Sequence, residues 1–177
     1  VDDAAGALLL QLEVPLRTVR RAASIAKKAR VPVILNPAPM PAEPLPPALL
    51  ADVDYLVPNQ VELLRLTGAR SQTRAAKELF GLGVRALIVT LGAKGARVIT
   101  ADRSFPVPSY RVKAIDAVGA GDCFCGYVAA GLAAGETLEA AARLACAAAA
   151  ISVSRRGAQP SIPRRAEARR LLRKTKG

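Results

Sequence analysis

Short apolar runs alternate along this chain with longer stretches in which apolar residues recur every three or four positions, the pattern of strands feeding helices around a parallel sheet. Ala7 to Leu12 reads as a buried strand. Val19 to Ala29 reads as a helix, with Val19, Ala22, Ala23 and Ala26 on its apolar side and basic residues opposite. Val33-Ile34-Leu35 is the next strand, and it stops at Asn36-Pro37-Ala38-Pro39, where the prolines forbid both helix and ladder. Prolines start a short helix, Leu45 to Leu50, and Tyr55-Leu56-Val57 follows as a strand. Asn59 caps a helix that runs to Leu66 and is closed by Gly68. Thr73 to Phe80 is a further helix, and the β-branched run Ala86 to Thr90 a further strand. Gly92-Ala93-Lys94-Gly95 then turns the chain into the strand Ala96 to Thr100.

Beyond Ser104 to Val107 the pattern changes to two long Ala-rich helices, Asp122 to Ala134 and Leu138 to Ser154, joined by Gly135-Glu136-Thr137. Pro163 starts a last helix, Arg164 to Lys174, with Ala168, Leu171 and Leu172 as its apolar stripe. No repeat or low-complexity linker interrupts residues 1–177, so the pattern predicts one α/β layer sandwich without a domain boundary.

Composition narrows what such a fold can do. With 51% hydrophobic residues in 177, the chain can bury a core without disulfides or structural metal, which excludes intrinsic disorder. It contains no His, so neither a Ser-His-Asp nor a Cys-His nucleophile can be built, and a zinc site would need Cys and carboxylates alone. Cys123 and Cys125 point to different faces of a helix and Cys146 lies far away, so all three read as small apolar residues in a reducing cytosol. The uncharged run Cys123 to Gly135 is too short and too rich in Gly and Ala to span a bilayer. Val1-Asp2-Asp3-Ala4 carries acid where a signal peptide carries base, and a soluble cytoplasmic protein is expected. The net charge of +12 sits mostly at the end, where Ser154 to Gly177 holds nine basic residues, Lys176 the last of them, and one acid, Glu167. That tail has no aromatic residue to stack on a base, so a solvated helix face is expected rather than nucleic-acid binding.

The segment richest in chemistry is Ala114-Ile115-Asp116-Ala117-Val118-Gly119-Ala120-Gly121-Asp122, a turn leading straight into a helix. Its glycines allow a tight turn and close approach of backbone to a ligand. Consecutive N–H groups at a helix start form an anion site suited to a phosphoryl group in transfer. A carboxylate beside bound phosphate makes a poor ligand but a good acceptor for the proton of an attacking hydroxyl. Spacing alone leaves Asp122 equally open to a plainer role, steadying the helix dipole from the first turn. Gly-x4-Gly-Lys-Ser/Thr is absent, and Phe124 takes the third glycine position of a dinucleotide fingerprint.

Six segments in order give this turn a context: Leu8 to Glu13, Asn36 to Pro39, Pro58-Asn59-Gln60-Val61-Glu62, Thr90 to Gly95, Asp116 to Asp122, and Arg156-Gly157-Ala158-Gln159-Pro160-Ser161. Together they resemble the ribokinase-like (PfkB) carbohydrate kinases almost end to end, and Asn-Pro-Ala-Pro with Gly-Ala-Gln-Pro-Ser favours the ribokinase branch. The resemblance implies a three-layer α/β/α sandwich with a mostly parallel sheet. It implies transfer of the γ-phosphate of ATP to the primary 5-hydroxyl of D-ribose. Asp122 would be the base, and Gly119, Ala120 and Gly121 the backbone anion hole. Glu13 would contact the sugar, although alone it reads as an ordinary surface Glu before Pro15. Asn59 and Glu62 match the family's Asn-x-x-Glu motif, which organises phosphate and the Mg2+ hydration shell, with Gln60 replacing an acid. Thr90, Leu91, Gly92, Ala93, Lys94 and Gly95 would line ATP, a stretch that otherwise reads as a hairpin turn. Asp116 matches a K+ ligand, with main-chain oxygens of Val118, Ser152, Arg155 and Gly157 and the Ser161 position completing an oxygen cage. Cys146 stands where relatives place a polar residue beside adenine. The resemblance covers the carboxyl-terminal portion of such enzymes. The amino-terminal strands, the Gly-Gly sugar segment and the lid through which the full-length form makes a homodimer have no counterpart here.

Overall fold

The computed structural model describes residues 5–174; the acidic Val1–Ala4 start and Lys176 lie outside the described residues. Thirteen elements follow in chain order: β1 (Leu8–Leu10), α1 (Leu16–Lys28), β2 (Val33–Leu35), α2 (Pro47–Asp52), β3 (Tyr55–Leu56), α3 (Gln60–Thr67), α4 (Gln72–Gly81), β4 (Ala86–Thr90), β5 (Ala96–Thr100), β6 (Ser104–Val107), α5 (Ala120–Ala133), α6 (Leu138–Val153) and α7 (Arg165–Lys174). The six strands form one sheet in sequence order, and β1 to β4 run parallel. This is the α/β architecture that the alternating pattern predicts. The chain divides into two compact units, residues 1–91 with 97–105, and 92–96 with 106–177. No composition shift marks that division, because it passes through β5 and β6 rather than through a linker.

In the first unit, register aligns the carboxyl ends of the strands. Leu10 pairs with Leu35, Leu35 with Leu56 and Leu56 with Leu87, and an isolated parallel bridge joins Asn59 to Thr90. The loops after β1, β2, β3 and β4 therefore open at one end of the sheet, where parallel α/β sheets bind ligands. Central strands β2 and β4 are buried nearly throughout, which is why they read as unbroken apolar runs. Strand β1 departs from expectation. It spans three residues rather than six and is not buried: Leu9 is 36% exposed, because β1 stands last in the sheet order and pairs only with β2. Helix α1 begins at Leu16, directly after Pro15, and buries Val19, Ala23 and Ala26 against the sheet core while Lys27 and Lys28 complement its carboxyl-terminal dipole.

One core feature escaped the sequence pattern. Asp54 is 5% exposed at the opposite end of the strands. Its Oδ2 accepts the Val33 amide at 3.0 Å, and its Oδ1 faces Lys27 Nζ at 3.0 Å and Arg85 at 3.5 Å. A buried carboxylate is tolerated only with such pairing, and here one side chain ties α1, β2 and β4 together.

The second unit is built on the α5–α6 hairpin. Its close packing depends on small residues: a Cβ added at Gly131 would stand 2.8 Å from Ala141 Cβ. Cys123, Leu144, Ala148 and Ala168 form a core there, with Tyr127, Ile151 and Leu172 against it, so α7 docks through Ala168 as its stripe predicts. Tyr127 donates to the Pro163 carbonyl at 2.7 Å. Part of the basic charge of α7 is neutralised within the unit, since Glu136 pairs with Arg165 and Arg169, and Glu167 with Arg155. No described helix is long and apolar enough to cross a membrane.

Candidate active site

The turn from Asp116 to Asp122 lies in the second unit, and α5 starts at Ala120, two residues before the expected Asp122. Gly119 is the N-cap of α5 in the left-handed region, φ 75°, and Ala120, Gly121 and Asp122 are the first three helical residues. N–H groups in a helix's first turn lack helical acceptors, so they converge as an anion site. The Ala120 amide is already engaged by the Ala117 carbonyl at 3.2 Å, which shifts the expected anion hole toward Gly121 and Asp122.

The two glycines differ in what requires them. At Gly119 a Cβ would lie 3.0 Å from the Cα and Cβ of Ala158, and the positive φ already disfavours any side chain. The fold therefore demands glycine at 119. At Gly121 a Cβ would meet nothing within 4 Å, and the backbone is ordinary helix. Folding gives no reason for that glycine, whereas a ligand approaching the amide does. The Asp122 carboxylate is exposed beside it, at an apolar cleft of about 240 Å³ walled by Tyr127, Leu144 and Ile162.

Asp116 holds the turn from below. Its Oδ1 accepts the Val118 amide at 3.0 Å and its Oδ2 the Gly157 amide at 2.9 Å, and these two bonds hold its carboxyl below the usual carboxylate range. Asp116 thus meets the amides of Val118 and Gly157, whereas the expected cage calls on their main-chain oxygens. The other members of the expected cage are differently engaged. Ser152 and Ser161 are fully buried and joined hydroxyl to hydroxyl at 2.7 Å, and the Ser152 carbonyl accepts the Arg155 amide at 3.0 Å. Cys146 is 4% exposed, its sulfur 3.9 Å from the Val107 carbonyl and its thiol pushed by burial up to about 12. In this structure it belongs to the core beside β6 and presents almost no surface to a base.

In the first unit, the expected residues lie on the loops at the carboxyl ends of the strands. Glu13 is exposed after β1. Asn36 follows β2 and donates to the Val57 carbonyl at 2.7 Å. Asn59 and Glu62 form a reciprocal cap: Asn59 Oδ1 accepts the Glu62 amide at 2.9 Å, and Glu62 Oε2 accepts the Asn59 amide at 2.7 Å. One oxygen of each side chain is therefore committed to starting α3, which the spacing Asn-x-x-Glu also encodes. Thr90 bonds the Pro58 carbonyl through its amide at 2.9 Å. In the second unit, Gly92–Lys94 is a single 3-10 turn rather than a simple hairpin, with Lys94 exposed. Gly95 has φ 90°, and a Cβ there would run into the Val107 carbonyl and the Ser109 amide, so packing alone accounts for it. Among the described residues, no group of three or more Cys, Asp or Glu is placed to hold a metal ion.

Comparison with known proteins matches this geometry. The family model for pfkB family carbohydrate kinases matches residues 3–165. Ribokinase of Haemophilus influenzae is 42% identical over 170 residues, covering 93% of this chain and 55% of that protein. Deoxyribokinase of Salmonella typhi is also 42% identical, over 161 residues, covering 88% and 52%. The structure of Arabidopsis thaliana ribokinase with ribose and ATP superposes with a TM-score of 0.88 at 35% identity, covering 94% of this chain and 55% of the other. The chain spans about half the length of the curated relatives it matches. A helix that opens on Gly-Ala-Gly-Asp, a parallel sheet whose loops carry the matching motifs, and a family match over nearly the whole length together make this chain a member of the pfkB family of carbohydrate kinases.

Proposed function

We propose that this protein serves an ATP-dependent sugar kinase that transfers the γ-phosphate to the 5-hydroxyl of D-ribose. The observation that carries the reading is the start of α5, where Gly121, a glycine without a folding reason, stands directly before the exposed Asp122. Asp122 accepts the hydroxyl proton as the sugar oxygen attacks phosphorus. The amides of Gly121 and Asp122 meet the charge on the equatorial phosphoryl oxygens, aided by the positive end of the α5 dipole. Glu13 binds the sugar from the loop after β1. Thr90 to Lys94 line the nucleotide.

Two ions belong to this reading. Mg2+, when bound with ATP, neutralises charge on the β- and γ-phosphates, and the Asn59–Glu62 pair is suited to orient its water shell through the oxygen of Glu62 that the cap leaves over. K+ suits the hard oxygens near Asp116, whose carboxyl stays ionised and has lone pairs beyond its two amide bonds. Carbonyls of Val118, Ser152, Arg155 and Gly157 would complete that site. The Ser161 hydroxyl is committed inside the protein, so this position would contribute its main-chain oxygen. Three buried free thiols are in keeping with a cytoplasmic location.

The equal identity to a deoxyribokinase supports a second acceptor, deoxyribose. A third reading is nucleotide binding without transfer. Incubation with ATP and Mg2+ against ribose, deoxyribose and nucleosides separates the three. Fastest turnover with ribose is expected; preference for a nucleoside, or ATP binding without any acceptor-dependent ADP release, would replace the reading.

A further inference from the structure

Three polar groups of the second unit form a directed chain in an otherwise apolar core. Ser161 Oγ donates to the Ala158 carbonyl at 2.6 Å, which uses its only hydrogen. In the 2.7 Å contact between Ser152 Oγ and Ser161 Oγ, Ser152 must therefore be the donor. Ser152 and Ser161 are fully buried. The order is Ser152 O–H to Ser161 O–H to Ala158 O=C.

The far end of this chain reaches the turn before α5. Ala158 is the wall against which Gly119 closes, leaving no room for a side chain, and its neighbour Gly157 is held by Asp116. The hydrogen bonds thus tie Ser152 on α6, through Ser161, to the residue that walls Gly119. Packing alone does not explain it. Helix α6 is filled with Ala around this point, and replacing both hydroxyls by methyls would cost little. A serine in a helix also bonds most readily to its own preceding turn, which Ser152 forgoes.

We propose that Ser152 is a positioning residue for the phosphate turn, fixing Ala158 through Ser161 so that Gly119 to Asp122 hold one conformation before ligand arrives. The role in transfer rests on the kinase reading; the ordering of the turn does not. Ser152→Ala leaves Ser161 bonded to Ala158 and strands no buried donor of that chain, so the variant should fold. Amide exchange across residues 117–123 should quicken by roughly three- to tenfold, the weight of one buried hydrogen bond, while exchange in the first unit is unchanged. With ATP and ribose, kcat should fall by a similar factor with KM for ribose unaltered, and Ser152→Cys, which keeps a donor, should restore part of both. Unchanged exchange at 117–123 overturns the proposal whatever the activity. Faster exchange across the whole second unit also overturns it, since it makes Ser152 a general stabiliser. Faster local exchange in a protein that never transfers phosphate keeps the ordering role and removes the kinase reading instead.

Discussion

Gly121→Ala separates what the fold needs from what the ligand needs. The added Cβ meets nothing within 4 Å and the residue sits in the first turn of α5 with ordinary helical backbone. Replacing glycine there removes unfolded-state freedom and should stabilise the protein by about 0.4–1 kcal/mol. In a chain of this size that corresponds to a rise of about 1–4 °C in Tm. In the proposed function the same methyl stands where a phosphoryl oxygen approaches the amide. Losing one such donor costs about 2.7–4 kcal/mol of transition-state stabilisation, a fall of about 10²–10³ in kcat. Gly119→Ala is the contrasting control, because φ 75° and the 3.0 Å approach of Ala158 make it destabilising, by about 1–2 kcal/mol for the backbone alone. Thermal denaturation and ADP release, measured on both variants, give the comparison. A Gly121→Ala protein that is stabilised and fully active would refute the anion site at α5; one that is strongly destabilised would refute the reading of this glycine as free of folding constraint.

Other consequences follow from the packing and the ion pairs. Asp54→Ala should lower stability by about 1–3 kcal/mol by leaving the buried Val33 amide without its acceptor, with Lys27 and Arg85 able to turn to water; denaturant midpoints measure it, and activity per folded molecule should not change. The Arg155 guanidinium and the Arg164 amide hold the Glu167 carboxyl below its ordinary value of 4.5. A depressed folded value means stability present above the unfolded value and lost as pH falls through the folded one. The gap in denaturant midpoint between the wild type and Glu167→Gln should therefore be full at neutral pH and close below pH 4.5; a gap that persists in acid would show that Glu167 acts by packing. Cys123, Cys125 and Cys146 should resist thiol reagents in the native protein and react together on unfolding, since all are buried and burial pushes Cys123 and Cys146 up to about 11 and 12. Rapid reaction of one thiol at neutral pH would mean that its helix opens locally.

Much of this molecule is legible in its sequence because local chemistry and tertiary position agree. Val33 to Leu35 and Ala86 to Thr90 announce themselves as buried parallel strands by unbroken β-branched and aliphatic runs, and the capping pair Asn59 and Glu62 sets the start of α3. Strand β1 was harder: its apolar run matches a central strand, and only its place in the sheet order makes it half-exposed. Residues whose role depends on a distant partner leave no local trace. Asp54 looks like any surface acid before a strand, and its burial depends on Lys27 and Arg85 arriving from other elements. Ser152 and Ser161 stand out in sequence only as members of the expected cation cage, and their hydroxyl pairing exists only once α6 and the turn after it meet. The same limit applies to Cys146, whose motif position suggests a ligand contact while packing against Val107 buries it. The sequence identifies Gly95, Gly119 and Gly121 alike as turn-formers, but only the space around each distinguishes Gly95 and Gly119, which packing demands, from Gly121, which it does not.

The central claim is that Asp122 is the base for phosphoryl transfer from ATP to ribose, and Asp122→Asn tests it most directly. ADP release and ATP binding should be measured side by side on the wild type and the variant, with Mg2+, K+ and ribose present. Loss of a positioned base should lower kcat by about 10²–10⁴ while ATP affinity stays within a few-fold. An Asp122→Asn protein that phosphorylates ribose at the wild-type rate would contradict the account.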